Sequence, residues 1–193
     1  INLPLIVYWM IVADFRSINY SLNLNIMKKV FLIIVAIFGI VSANAQFKDS
    51  GFKVIGEVGT GISTFTAEGE SLFGAITPGT EFSFGANLSP QIFLGVGLGY
   101  DALIGISDVE GTDHEGKVFA HGRFYLSSEG NGAIIDLKAG YKRNFTSEMG
   151  AADIFVGPGF MFGGKFTLSA GYAGSFYDGL STHGGAIKFG VEF

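Results

Sequence analysis

Beyond residue 46 the chain alternates apolar and polar positions with a period of two, and no stretch of useful length puts apolar residues at helical spacing. In the first segment Phe52, Val54, Val58 and Ile62 share one face, while Lys53, Glu57 and Ser63 share the other. A second segment sets Phe82, Phe84, Ala86 and Leu88 against Glu81, Ser83 and Asn87. The third is the most regular, with Ile92, Leu94, Val96, Leu98, Tyr100 and Ala102 opposite Gln91, Gly95, Gly97, Gly99 and Asp101. Val118, Ala120, Phe124 and Leu126 then oppose Lys117, His121, Arg123 and Tyr125, and Ile135, Leu137, Ala139 and Tyr141 oppose Asp136, Lys138 and Lys142. Three more segments run from Ile154 to Phe162, Phe166 to Phe176 and Gly185 to Phe193. The pattern therefore predicts eight strands of about 9–11 residues or a little more, the length a tilted strand needs to cross a bilayer.

Two prolines interrupt this pattern. Pro158 lacks a ladder donor, which predicts a bulge or a locally open ladder in the sixth strand. Pro78 places the start of the membrane-crossing part of the second strand near Thr80. The connections at Ser89-Pro90 and Gly163-Gly164 are tight and that from Ser127 to Gly132 is modest, whereas Thr64 to Ser71 and Ser107 to Gly116 are longer and acidic. Alternating short and long connections suit an up-and-down barrel with both ends on the periplasmic side.

Composition supports strands over helices: Gly 30 and Pro 4 in 193 residues, without a collagen period. Zero cysteines exclude disulfides, thiolate zinc sites and a cysteine nucleophile, and a net charge of −5 argues against nucleic acid as a partner. Upstream, Met27-Lys28-Lys29 precedes an apolar run from Val30 to Val41 and the small-x-small sequence Ala43-Asn44-Ala45. Residues 27–45 thus read as a signal peptide cleaved after Ala45, too short in its apolar run to span a bilayer. That leaves residues 46–193 as the barrel domain and residues 1–26 as upstream extension outside the fold.

A soluble, lipocalin-like binding barrel shows the same alternation with its apolar face turned inward. Charge separates the two forms. The polar face carries Lys53, Lys117, Arg123, Lys138, Lys142, Lys165 and Lys188 against Glu57, Glu81, Asp101, Asp136, Asp153 and Glu192, close to neutrality. A narrow lumen demands such balance, because an unpaired buried charge costs several kcal/mol, whereas a solvated outer face does not. The fold expected is an all-β, eight-stranded antiparallel up-and-down transmembrane barrel with polar side chains inside.

The last strand alternates Ile187, Phe189, Val191 and Phe193 on its apolar face and ends on an aromatic. Here the chain resembles the small outer-membrane β-barrel proteins of the OmpA/OmpX-like type, over roughly residues 46–193. That resemblance implies a monomer in the outer membrane of a Gram-negative cell, in contact with the lipid bilayer and lipopolysaccharide. It further implies delivery by periplasmic chaperones to the barrel assembly machinery, with Phe189, Val191 and Phe193 as the assembly signal. Lys188 stands where that signal commonly has glycine. Phe52, Phe124, Phe166, Tyr172 and Phe176 are candidates for aromatic girdles.

Candidate chemistry is sparse, and no catalytic residue, cofactor site or metal site is assigned. His121 lies on the polar face beside Arg123 without a Gly-x-Ser-x-Gly context, so it reads as lumen packing. His114 and His183 fall at loops and read as solvated. Asp108, Glu110, Asp113 and Glu115 lack the order of an EF-hand loop and read as an acidic solvated loop. Glu57, Glu81, Arg123 and Lys188 fall near mid-barrel, where a salt-bridge network acts either as a permanent plug or as the gate of a narrow channel. A structural or surface-interaction role with acidic outer loops is the leading functional reading; a porin-like gated channel, a lipid-modifying barrel enzyme and a soluble binding barrel are the alternatives.

Overall fold

The computed structural model describes residues 51–67, 70–106, 112–127 and 130–193. Residues 1–45, with the expected signal peptide and upstream extension, lie outside the described residues, as do Gln46, Asp108 and Glu110. Eight strands follow one another: β1 (Gly51–Ala67), β2 (Glu70–Ser89), β3 (Ile92–Ile106), β4 (Thr112–Tyr125), β5 (Gly132–Asn144), β6 (Gly150–Phe162), β7 (Phe166–Tyr177) and β8 (Leu180–Glu192). Each pairs antiparallel with the next, and β8 closes on β1. Closure removes the sheet edges that would otherwise present unpaired backbone groups.

The register fixes the barrel's shape. Followed through hydrogen-bonded partners, Gly56 leads to Phe82, Leu98, Val118, Tyr141, Ala152, Phe176 and Ser181, and returns to β1 at Thr66, ten residues along. Such a stagger requires strands tilted by roughly 40° and leaves an interior just wide enough for side chains. Both prolines sit where a ladder is open while the register is kept. Neither Gly157 nor Pro158 pairs with β7, and neither Thr77 nor Pro78 pairs with β3. The β2 strand continues through Pro78 to Glu70, past the Thr80 expected to begin its membrane-crossing part, and Pro78 keeps its place opposite Thr60 on the β1 side. Next to the Pro158 gap, Gly157 and Gly171 face each other so closely that a Cβ on either would lie under 2.8 Å from the other's Cα.

The strands are longer than the alternation indicated, from 12 residues in β7 to 20 in β2. As a result the contrast of short and long connections disappears. At the end that holds both barrel termini, consecutive strands are separated by Pro90–Gln91, residues 126–131 and Gly163–Lys165; at the far end they are separated by residues 68–69, 107–111, 145–149 and 178–179. The hairpin at Gly163 and Gly164 uses positive φ at both residues, the geometry that matches strand twist. Thr64–Ala67 and Thr112–Gly116, read above as loop, are strand. The reason is that 112–117 carries no apolar residue, so a pattern of hydrophobic alternation has nothing to register there.

All eight strands turn large apolar side chains outward, among them Ile62, Phe84, Val96, Val118, Leu137, Phe160, Leu168 and Ile187. Val191, on the same face as Ile187 and Phe189, is covered. Inside, small apolar clusters cap a polar core. Ile55, Phe93, Tyr125, Ile134 and Met161 close the terminal end, and Phe65, Ala75 and Leu103, with Tyr177 and Leu180 against them, close the far end. This is the reverse of a lipocalin-like barrel, whose apolar residues face the cavity.

Candidate functional site

Alternation within each strand delivers the polar face into the lumen, and the stagger brings side chains from distant strands to one level. Arg123 on β4 lies at the centre of the terminal half. Its Nε and Nη2 donate to the two oxygens of Asp136 (2.6 and 2.9 Å), its Nη1 to Glu192 (2.6 Å) and its Nη2 also to Glu57 (2.9 Å). Lys53 donates to the other oxygen of Glu192 at 2.7 Å, and the Tyr125 hydroxyl reaches the same carboxylate. Glu57 and Glu81 are direct partners across β1 and β2, an arrangement of like charges that is unfavourable by itself. Lys138 resolves it by donating to both. Glu81 also accepts from Lys188 and Lys117, each at 2.6 Å, and Lys117 reaches Asp101 at 2.7 Å. Glu57, Arg123, Glu81 and Lys188 therefore form two pairs, Glu57 with Arg123 and Glu81 with Lys188, joined through Lys138.

The far half is built differently. Asp113 and Glu115 point inward and are buried, bonded to Asn144 (2.8 Å) and to Lys142 and Tyr177 (2.8 Å each). The reading of these two as solvated loop carboxylates is thus corrected. Asp153 accepts from Ser175 at 2.8 Å and lies 3.9 Å from Lys142. Between the two halves is a cavity of about 70 Å³, bounded by Gly59, Gly61, Ala173 and Ala186 on one side and by Lys117, Lys142, Asp101 and Asp153 on the other. Lys165 belongs to a turn, so among the described residues the lumen holds six cations (Lys53, Lys117, Arg123, Lys138, Lys142, Lys188) and eight carboxylates (Glu57, Glu81, Asp101, Asp113, Glu115, Asp136, Asp153, Glu192). The near-neutral balance expected from the sequence is replaced by a surplus of two carboxylates, all of it in the far half.

His121 is fully buried, with Nδ1 2.8 Å from Ser83 Oγ and Nε2 3.2 Å from Asp136 Oδ1. Sequence reading found no partner for this histidine; the barrel's curvature supplies a hydroxyl and a carboxylate from β2 and β5. The order of groups is that of a hydrolytic triad, but its surroundings are not. Ser83 is sealed, the Asp136 oxygen facing the ring is also bonded to Arg123, and the rings of Phe93 and Phe119 lie 5.4 and 6.4 Å from the imidazole. Nucleophilic catalysis needs room for a reacting atom beside both nucleophile and oxyanion donors, and the cavity does not reach these residues. His114 and His183 occupy strands, on the outward face, and bond Tyr100 and Tyr172 respectively.

Solved structures share this architecture over nearly their whole length. Ail, the attachment invasion locus protein of Yersinia pestis, is 13% identical with a TM-score of 0.53, covering 74% of this chain and 99% of its own. The N-terminal β-barrel domain of Pseudomonas aeruginosa OprF is 17% identical (TM-score 0.52), covering 77% and 100%. Neisserial surface protein A is 10% identical (TM-score 0.51), covering 76% and 100%. The chain has the fold of the small eight-stranded outer-membrane β-barrels. No family model matches it, and no curated protein matches it by sequence.

Within this barrel fold the residues that sequence reasoning missed are those whose partners depend on stagger. Lys138, Asp136 and Glu192 were placed on the inner face but not in the network. Asp136 had a signal, since it lies directly opposite Arg123 in the β4–β5 register. Lys53 and Glu192 sit on first and last strands, 139 residues apart, and meet only because the sheet closes.

Proposed function

We propose that this chain is an outer-membrane protein of a Gram-negative cell whose barrel is a closed, plugged bilayer anchor that acts through its outer surface. The observation that carries the reading is the inversion of polarity: every strand exposes large apolar side chains while the interior is occupied by paired charges. Soluble monomers rarely expose apolar patches beyond a few hundred Å². On this reading residues 27–45 are removed after Ala45, both barrel termini face the periplasm, and Phe189, Val191 and Phe193 act as the assembly signal. The far end then faces outward, with Glu70, Glu148 and Asp178 exposed on its rim as an acidic contact surface.

Ion pairs that fill the terminal half favour a plug over an open pore. The sealed Ser83, His121 and Asp136 favour a structural role over lipid chemistry. Fractionation with outer membranes and a heat-dependent gel shift test the anchor, and planar-bilayer recording tests the plug. The closed barrel gives no steady conductance, and Glu57→Ala leaves it closed. Conductance that rises in Glu57→Ala would establish a gated channel instead, and recovery of the protein in the soluble fraction would overturn the membrane reading.

A further inference from the structure

The outward face of the far half repeats one motif on opposite sides of the barrel. On β3 and β4 the Tyr100 hydroxyl bonds His114 Nδ1, with the rings stacked at 5.9 Å. On β7 and β8, Tyr172 bonds His183 Nδ1 at 2.6 Å with the rings 6.1 Å apart. In each case the tyrosine faces a glycine, Gly116 or Gly185, and the histidine lies two residues from that glycine on the same strand. Tyrosine and imidazole are amphipathic groups suited to the boundary between hydrocarbon and headgroups.

The two copies differ in what they leave unsatisfied. The His183 copy is closed: Nε2 lies 3.1 Å from Ser181 Oγ, which in turn bonds Thr66 Oγ1 at 2.8 Å. The His114 copy is open. Its Nε2 has no hydrogen-bond partner among the described residues, and in the tautomer in which Nδ1 accepts from the tyrosine that nitrogen carries an N–H to donate. Arg143 extends the same row, since Gly116 pairs with Tyr100 on one side and Arg143 on the other. Arg143 is 56% exposed, and its one ion pair among the described residues, to Glu148, is 3.7 Å long and exposed. The β5 chain is held against His114 by a bond from Phe145 N–H to the His114 carbonyl (2.8 Å), and the Phe145 ring lies over Gly116. Among described residues, Arg143 is the single Lys or Arg on the outward face of the far half, as the other strand cations point inward and Lys165 is at the terminal end.

We infer that Tyr100, His114 and Arg143 form a docking site for the anionic phosphate of an outer-leaflet lipid. The guanidinium supplies the charge-assisted fork, His114 Nε2–H a second donor, and the Phe145 ring an apolar rest for the start of the acyl region. The site rests on the outer-membrane reading above, and the His183 copy is its built-in control.

Native mass spectrometry of the full chain, extracted in mild detergent and titrated with phosphatidylglycerol or phosphatidylcholine, reads the site directly. Arg143→Gln should lower phosphatidylglycerol retention about fivefold, the effect of one interfacial cation, with phosphatidylcholine unchanged. His114→Gln should lower it by a smaller factor, while His183→Gln and Lys165→Gln leave the preference intact. Arg143→Lys should hold it near wild type, which decides the matter if Arg143→Gln assembles poorly. Equal loss in His114→Gln and His183→Gln, or an unchanged preference in Arg143→Gln and His114→Gln, overturns the site. A gel shift on heating, recorded on the same samples, keeps that failure apart from failure of the membrane reading, which would take the site with it.

Discussion

The terminal and far halves of the lumen contain the same residue types and are organised on different rules. In the terminal half four cations (Lys53, Arg123, Lys138, Lys188) meet four carboxylates (Glu57, Glu81, Asp136, Glu192), mostly at 2.5–2.9 Å and beneath an apolar cap. In the far half Lys117 bonds Asp101, Lys142 bonds Glu115 and lies 3.9 Å from Asp153, and Asp113 is held by Asn144, so that two cations serve four carboxylates. Lumen charge is thus set by local satisfaction and not by an overall balance. Where cations and carboxylates bond one another directly beneath the apolar cap, each charge has its opposite; where neutral donors such as Asn144, Ser175 and Tyr177 are present, surplus carboxylates are held by hydrogen bonds.

Substitutions that break the pairing in each half put this contrast to the test. The largest effect belongs to Arg123→Gln, which strips Asp136, Glu192 and Glu57 of their shared partner; urea unfolding in vesicles should show a loss of about 3–5 kcal/mol. Next is a matched comparison of Lys138→Met with Lys142→Met. The first leaves Glu57 and Glu81 facing each other and should cost about 3 kcal/mol, while the second leaves Glu115 its bond from Tyr177 and should cost about 1–2 kcal/mol. Equal losses would mean that the halves do not differ. Smallest is Asp153→Asn, which retains an acceptor for Ser175 and removes one surplus charge; its change should stay within about 0.5 kcal/mol of zero, whereas Asp136→Asn should cost several times that.

How far the sequence discloses this follows from which contacts are local. Period-two alternation identified all eight strands and the outward set, because the face of each side chain is decided within its own strand: Leu94, Val96 and Leu98 need no neighbour to be recognised. The ends of strands were lost where no apolar residue marks them. Thr112 to Gly116 looked like loop for that reason, and this error left Asp113 and Glu115 in a solvated loop instead of the lumen. Register is a property of pairs of strands. The four residues placed at mid-barrel do lie together, yet Lys138, which joins their two pairs, and the Ser83–His121–Asp136 cluster depend on a ten-residue stagger that alternation cannot supply.

On the proposed membrane reading the barrel turns its apolar face to lipid and its charges inward. Tryptophan occurs once in the sequence, at Trp9, upstream of the proposed cleavage after Ala45, so the processed barrel accepts a single reporter without further substitution. Val96→Trp, on the most exposed apolar face of β3, should be strongly quenched by lipids brominated on the acyl chain and unaffected by an aqueous quencher. Quenching from the aqueous phase, with no response to brominated lipid, would contradict the account.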